Sequence, residues 1–147
     1  MPHLFVEHSA NVESVIDVAD LVGALHDAAI ATGTAAVDAL RTRAVRRDVV
    51  AIADCHPDNG FVAVTIRIGA GRDADEKRSL VKALMQALDD TLGAAQASMM
   101  LSVEVQEIDP ESRINKNNLR PLVAQRAAAG SDTNRHDTDQ QREHDGR

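Results

Sequence analysis

A proline stands directly after the initiator methionine, in the run MPHLFVEHS at Met1–Ser9. Inside a chain, proline has no backbone N–H. At a chain terminus, its nitrogen is a free secondary amine that can accept a proton and return it. Pro2 gains that amine only when Met1 is removed, which a small second residue normally permits. The run by itself leaves two interpretations open: Pro2 is a catalytic base, or it is an incidental second residue.

A candidate anion-binding residue lies farther along the chain. Arg72 follows the run Gly69-Ala70-Gly71 and precedes Asp73, which with Glu76 resembles a helix capping box. Glycines let backbone N–H groups approach a ligand, a helix N-terminus favours anions, and a guanidinium pairs with a carboxylate through two parallel hydrogen bonds. These features favour carboxylate binding by Arg72. The alternative is a solvated arginine at the start of a helix.

The overall composition restricts the class of partner. The 147 residues fit one domain with some chain left over, and the net charge is −7. An acidic chain lacks the basic face that nucleic-acid binding requires, and it does not favour adhesion to anionic membranes. The sequence shows neither an apolar run of ~20 residues nor a signal-peptide pattern. We therefore expect a cytoplasmic protein with no nucleic-acid partner and no membrane partner.

Cys55 is the only cysteine, which excludes an internal disulfide and a cysteine-based zinc site.

The core must be built from small apolar side chains. Trp and Tyr are absent, and Phe5 and Phe61 are the only phenylalanines. Because Ala and Val each remove little area from water, a domain of this size gains from further burial between subunits. An oligomer is therefore plausible.

Two kinds of apolar periodicity predict the elements that position the candidate residues. Alternation predicts strands, and recurrence every three or four residues predicts helices. The predicted strands are 3–7, the part of 40–54 that precedes a loop, 61–68 and 99–107. The first helix begins near Asp17 with Val18, Val22, Leu25 and Ala29 on one face, and the second begins near Asp73 with Leu80, Leu84, Leu88 and Leu92 on one face. Gly33 and Gly93 are predicted to end these helices.

The order of the predicted elements indicates the fold class. Strand, helix, strand occurs twice, which predicts an α/β domain of two β-α-β units, with a four-stranded mixed sheet and two helices on one face. We assign residues 1–126 to this domain. Residues 127–147 are polar and charged, so they cannot bury enough apolar area to offset their ordering entropy, and we predict a disordered tail. His136 and His144 lie in that tail and are expected to be solvated.

Several short motifs occur together in a fixed order. Pro2 heads a strand that reaches Glu7, Arg41-Thr42-Arg43 opens the second strand, FVAVTIRIGAGR spans 61–72, and NKNN spans Asn115–Asn118. This set resembles the 5-carboxymethyl-2-hydroxymuconate isomerase family of the tautomerase superfamily, whose members use an amino-terminal proline. The resemblance covers roughly residues 2–123. The long polar tail and the absence of aromatic residues from 44–56 depart from the family pattern.

The resemblance implies a reaction class. It is the isomerisation of an unsaturated 2-hydroxy or 2-oxo di- or tricarboxylic acid, without cofactor or metal. The leading substrate is 5-carboxymethyl-2-hydroxymuconate, an intermediate in the catabolism of the aromatic acid homoprotocatechuate. One alternative is another tautomerase of the superfamily, of the oxalocrotonate or phenylpyruvate type. A second is a trimeric interaction protein that keeps the fold and does no catalysis.

The resemblance also implies roles for individual residues. Pro2 would be the base, since burial and nearby cations lower the pKa of an amine towards the range in which acid–base catalysis works. Arg72 and Arg41 would hold the carboxylates and the developing negative charge of a polycarboxylate substrate. Arg43 points to the same side of the strand as Arg41, so either Arg41 or Arg43 could be the second cation that binds the substrate. Phe61 would form an apolar wall over the amine.

Structural alternatives stay open for these roles. Arg41 is also explained as an edge-strand charge that favours solubility, and Phe61 as an ordinary core residue. His3, His8 and Glu7 are expected to be structural. The resemblance further implies a homotrimer with sites near the subunit boundaries, and the Ala- and Val-rich strands are compatible with that assembly.

Overall fold

The computed structural model describes residues 2–130. Its strands are β1 (His3–Ser9), β2 (Arg41–Arg47), β3 (Gly60–Gly69) and β4 (Met99–Ile108), and its long helices are α1 (Val18–Ala31) and α2 (Ala74–Leu92). Short 3₁₀ turns occupy Ala10–Ser14, Gly93–Ser98 and Pro110–Ser112. The described residues form two units, one of residues 2–36 and 40–114, and one of residues 37–39 and 115–130.

The sheet has the strand order β2-β1-β3-β4. The outer pairs β1–β2 and β3–β4 are parallel, and the central pair β1–β3 is antiparallel. Each parallel pair is joined through one helix, so the predicted architecture of two β-α-β units in a mixed four-stranded sheet is confirmed. In the central pair, His3 lies opposite Arg67 and His8 lies opposite Val62.

The predicted pattern of α2 is confirmed in detail. Its four leucines, Leu80, Leu84, Leu88 and Leu92, are all buried. The Asp73 side chain accepts hydrogen bonds from the N–H groups of Asp75 and Glu76, and the Glu76 side chain accepts one from the N–H of Asp73. This is the capping box that the sequence predicts. The helix ends at Gly93, whose φ of 51° suits a residue without a Cβ.

The buried stripe of α1 differs from the predicted one. Leu21, Leu25 and Ala29 are buried, whereas Val18 and Val22 are only half-buried. Leu21, Leu25 and Ala29 recur every four residues and therefore share one face of the helix, and the leucines are larger than either valine. The two valines therefore lie beside the stripe rather than in it. As predicted, the helix begins after Asp17, whose side chain accepts from the N–H of Ala19 over 2.8 Å.

The two faces of the sheet differ in burial. On the face covered by the helices, Leu4, Val6, Val64 and Ile66 are buried in the core. The alternate residues point the other way, and we call that side the open face. Its central residues include His3, Phe5 and Thr65, which are half-buried. The alternation thus separates an apolar core from a face that carries polar and charged groups.

The second unit is organised around Asp38. Its side chain accepts from Nδ2 of Asn117 over 3.1 Å and from Nε of Arg120 over 2.6 Å. The hydrogen bond from Arg120 is the main cause that lowers the pKa of Asp38. Residues 120–130 are helical, so 127–130 of the predicted tail lie in a helix. The rest of that tail, with His136 and His144, lies outside the described residues.

Candidate active site

Pro2 lies at one end of the two central strands. It is buried, and its carbonyl accepts a hydrogen bond from the backbone N–H of Arg41 over 3.3 Å. The antiparallel register that places His3 opposite Arg67 puts Pro2 level with Ile68, one residue before Gly69. We call this the Pro2 end of the sheet. Arg41 and the end of β3 therefore flank the residue whose nitrogen is the candidate base.

Two of the predicted cations, Arg41 and Arg43, lie on the open face near this end. Nη1 of Arg41 is 3.3 Å from Nε2 of His3, and Nη1 of Arg43 is 3.4 Å from Nδ1 of the same ring. The Cζ atom of Arg43 also lies 3.6 Å from the centre of the Phe5 ring, a cation–π contact. The backbone of Arg41 thus adjoins Pro2, while its guanidinium lies on the open face with that of Arg43.

His3 is the centre of a cationic group that the sequence interpretation did not identify. Burial lowers the pKa of His3, and the charges of Arg41, Arg43 and Arg67 lower it further. A neutral imidazole has only one nitrogen that accepts a hydrogen bond. Since both ring nitrogens face an arginine N–H, at most one of these contacts is a hydrogen bond. The open-face arginine cluster of Arg41, Arg43 and Arg67 therefore has more donors than acceptors.

The open-face arginine cluster also lacks carboxylate partners. Among the described residues, no ion pair links Arg41, Arg43 or Arg67 to an Asp or Glu. The alternation of β3 identifies Arg67 as an open-face residue, although its grouping with Arg41 depends on the pairing of the strands. In a chain of net charge −7, three such guanidiniums on one face are suited to attract an anion.

Arg72 lies near the Pro2 end with part of its hydrogen-bonding capacity already used. Nη1 donates to the carbonyl of Gly69 over 3.1 Å, and Nη2 donates to the carbonyl of Thr34 over 2.7 Å. These bonds tie the loop after β3 to the loop after α1. A guanidinium has five N–H donors, and neutral carbonyls do not cancel its charge. Arg72 thus has a structural role that the sequence did not predict, and it keeps donors for a ligand.

Phe61 lies at the opposite end of the sheet from Pro2. Its N–H donates to the Ser9 side chain over 2.9 Å, which places it seven residues along β1 from Pro2. At ~3.3 Å per residue, that separation is about 23 Å. Within one chain, Phe61 therefore does not cover the Pro2 nitrogen. Its predicted role as an apolar wall requires a second subunit.

A cleft of about 440 Å³ adjoins Phe61. It is lined by the loop 50–53 and by Met100, Leu101 and Ser102 of β4. Val50 and Met100 are exposed, although both are apolar. The cleft is thus a hydrophobic feature of the open face, remote from Pro2 in the same chain.

No group of three or more His, Cys, Asp and Glu side chains in residues 2–130 is arranged to hold a metal ion. None of the helices in that range is both long enough and apolar enough to span a bilayer.

A family model and a curated protein that match this chain carry the same isomerase name. The model of the 5-carboxymethyl-2-hydroxymuconate isomerase family matches residues 2–123. Over 124 residues, the chain is 29% identical to 5-carboxymethyl-2-hydroxymuconate Delta-isomerase of Escherichia coli, which covers 83% of this chain and 98% of that protein.

Solved structures agree with these matches. The crystal structure of a 5-carboxymethyl-2-hydroxymuconate isomerase from Deinococcus radiodurans R1 is 32% identical, with a TM-score of 0.76 over 83% of this chain and 93% of that chain. A symmetric trimer of fused wild-type 4-OT is 22% identical, with a TM-score of 0.54 over 79% of this chain and 92% of that chain. The second likeness concerns the fold alone.

Proposed function

The chain belongs to the 5-carboxymethyl-2-hydroxymuconate isomerase family, and on that premise we propose that it isomerises 5-carboxymethyl-2-hydroxymuconate with Pro2 as the base. The relatives from Escherichia coli and Deinococcus radiodurans R1 are named for that activity. The position of Pro2 between two arginine-bearing segments supports its assignment as the base. Its carbonyl accepts a hydrogen bond from the backbone N–H of Arg41, and its register sets it level with Ile68, one residue before Gly69, whose carbonyl accepts from Arg72.

The proposed reaction moves one proton and two double bonds. After removal of Met1, the neutral amine of Pro2 accepts the proton of the 2-hydroxyl group. The electrons left behind form the 2-oxo group, and the double bonds shift along the conjugated chain. Pro2 then returns the proton to carbon 5. Atoms and charge balance, since the same proton leaves oxygen and arrives at carbon.

The arginines would stabilise the negative charge of this reaction. Carboxylates accept paired hydrogen bonds from guanidiniums, and the intermediate adds a further negative charge near its 2-oxygen. Arg41 and Arg43 have no carboxylate partner among the described residues, and Arg72 keeps N–H groups beyond its two carbonyl bonds. These cations would also disfavour the protonated form of a nearby amine, which keeps Pro2 able to act as a base.

We propose a homotrimer as the active assembly. About 23 Å of strand separates Phe61 from Pro2 in one chain, so a site that contains both needs a neighbouring subunit. The exposed Val50 and Met100 beside the cleft offer apolar area for such a contact. The similar fused 4-OT structure is a symmetric trimer. Size-exclusion chromatography with light scattering tests this proposal, and a monomer that is fully active would contradict it.

Two direct assays test the proposed function. Intact-mass measurement should show that purified protein lacks Met1, because a retained methionine leaves Pro2 without a free amine. Ultraviolet assays should show a higher kcat/KM for 5-carboxymethyl-2-hydroxymuconate than for 2-hydroxymuconate. A clear preference for 2-hydroxymuconate would overturn the substrate assignment and favour a different tautomerase. A cytoplasmic location and a place in aromatic catabolism belong to the same proposal.

A further inference from the structure

A second arginine contacts Gly69, at the Pro2 end of the sheet. Arg113 follows the turn Pro110–Ser112, shortly after β4, and its guanidinium returns to Gly69, the last residue of β3. A Cβ atom built on Gly69 would lie 2.9 Å from Nη2 of Arg113 and 3.5 Å from its Cζ. The missing side chain of Gly69 therefore leaves the space in which the Arg113 guanidinium lies.

One end of this guanidinium is buried without a partner. Nη1 of Arg113 is inaccessible to solvent and has no hydrogen bond among the described residues, nor does Arg113 form an ion pair with a described Asp or Glu. Such an atom is rare, because a buried N–H of a charged group that lacks an acceptor is strongly unfavourable. An unpaired buried donor is a reason to look for a bound anion.

Arg72 adjoins the same glycine. It donates to the carbonyl of Gly69 over 3.1 Å, so both guanidiniums lie against the same residue. Two guanidiniums that contact one residue favour an anion beside them, because the anion offsets their like charges. Elsewhere in the described part of the chain, Arg46, Arg47, Arg78 and Arg120 each pair with a carboxylate. We call Gly69, Arg72 and Arg113 the Gly69 corner.

We propose that the Gly69 corner binds one carboxylate of the substrate, and that Arg113 is a specificity-determining residue beside Arg72. This inference rests on the proposed function, because it takes a polycarboxylate as the ligand. The carboxylate would accept from Nη1 of Arg113 once the flexible side chain turns that atom out of its buried position. It would also accept from the N–H groups that Arg72 does not donate to carbonyls. Since Gly69 comes directly after the residue level with Pro2, a carboxylate held there lies at the same end of the sheet as the base.

The test measures binding independently of turnover. The probe is propane-1,2,3-tricarboxylate, a tricarboxylate that cannot be isomerised, titrated by calorimetry into the assembled protein without Met1. Arg113→Gln should weaken binding at least about tenfold, the scale of a hydrogen bond to a charged group. The melting temperature should stay the same or rise, because the buried Nη1, which has no acceptor among the described residues, is removed. Arg78→Gln, which removes an exposed arginine on α2, is the matched control and should bind within about twofold of wild type.

A second variant keeps the charge and moves it. In Gly69→Ala the new methyl group displaces the far end of the flexible Arg113 side chain, so binding should weaken without loss of the fold. Unchanged affinity in Arg113→Gln would overturn the inference, whether or not the melting temperature falls or the assembly dissociates. A fall or a dissociation with unchanged affinity would make Arg113 a structural residue. Absence of probe binding to wild type would overturn it as well. If wild type fails to isomerise the substrate, the proposed function fails, and the binding comparison still decides the role of Arg113.

Discussion

The backbone N–H of Arg41 donates to the carbonyl of Pro2 over 3.3 Å, so the first residue of β2 is fixed against the residue that precedes β1. The bond uses only main-chain atoms and is independent of either side chain. The position of Pro2 is therefore set by the parallel pairing of β1 with β2, and side-chain substitutions at both residues can test chemistry without loss of this contact.

Replacement of Pro2 by alanine should remove most of the activity and leave the fold intact. Alanine at this position keeps the carbonyl that Arg41 contacts, but it lacks the rigid ring that directs the nitrogen lone pair. A displaced general base costs ~10²-fold or more in kcat. Steady-state kinetics measures the loss, and circular dichroism with size-exclusion chromatography checks fold and assembly. A kcat near that of wild type would place the base elsewhere.

Replacement of Arg72 by alanine should lower both stability and activity. Its side chain bonds to the carbonyls of Gly69 and Thr34, and hydrogen bonds to a charged group each contribute about 1.5–3 kcal/mol before solvent screening. The half-buried site reduces that figure. The loss in kcat/KM should be about 2–5 kcal/mol if the same side chain also pairs with a carboxylate. Urea unfolding and kinetics separate the two effects, with Arg78→Ala as the control. Reduced stability with unchanged kcat/KM would leave Arg72 only its structural role.

His3 should titrate below the usual range for histidine. Burial and the neighbouring arginines lower its pKa, so the unfolded chain binds this proton more readily than the folded chain. His3 therefore reduces the free energy of unfolding as the pH falls through about 6.5, and the reduction is complete below the folded pKa. NMR titration measures the value. Arg67→Gln should raise the pKa of His3, and a pKa that does not move would show that Arg67 does not act on the ring.

Mixed trimers test whether two chains of the proposed homotrimer build one site. Phe61→Ala and Pro2→Ala chains should each be impaired as homotrimers. When they are co-expressed, a site that combines Pro2 of one chain with Phe61 of its neighbour is intact, so part of the activity should return. Absence of recovery in purified mixed trimers would indicate that Phe61 and Pro2 do not share a site. Full activity of the Phe61→Ala homotrimer would remove Phe61 from the site altogether.

The elements and faces of the fold follow from sequence because they depend on local periodicity. Leu80 and its three partners, the alternation of His3, Phe5 and Glu7, and the capping box at Asp73 are all short-range patterns. The distance from Phe61 to Pro2 depends on the antiparallel register of β1 with β3, which local patterns do not encode.

Contacts between distant segments likewise escaped the sequence interpretation. Arg72 finds its acceptor at Thr34, 38 residues away, and Arg113 reaches Gly69 only because β3 and β4 are paired in parallel. The grouping of Arg67 with Arg41 and Arg43 around His3 depends on pairing across three strands. The sequence motifs GAGR and RTR identified Arg72, Arg41 and Arg43 as candidates. The groups that these arginines contact could be identified only from the tertiary structure.

A neutral amine at Pro2 is the base of the proposed reaction, and titration of that amine is the decisive measurement. Protein that lacks Met1, labelled with ¹⁵N at proline, can be followed by NMR across the pH range. The Pro2 nitrogen should lose its proton with a pKa at or below ~8, the range of ordinary terminal amines, although a secondary amine starts higher. A nitrogen that stays fully protonated well above that range in active protein would exclude Pro2 as the base.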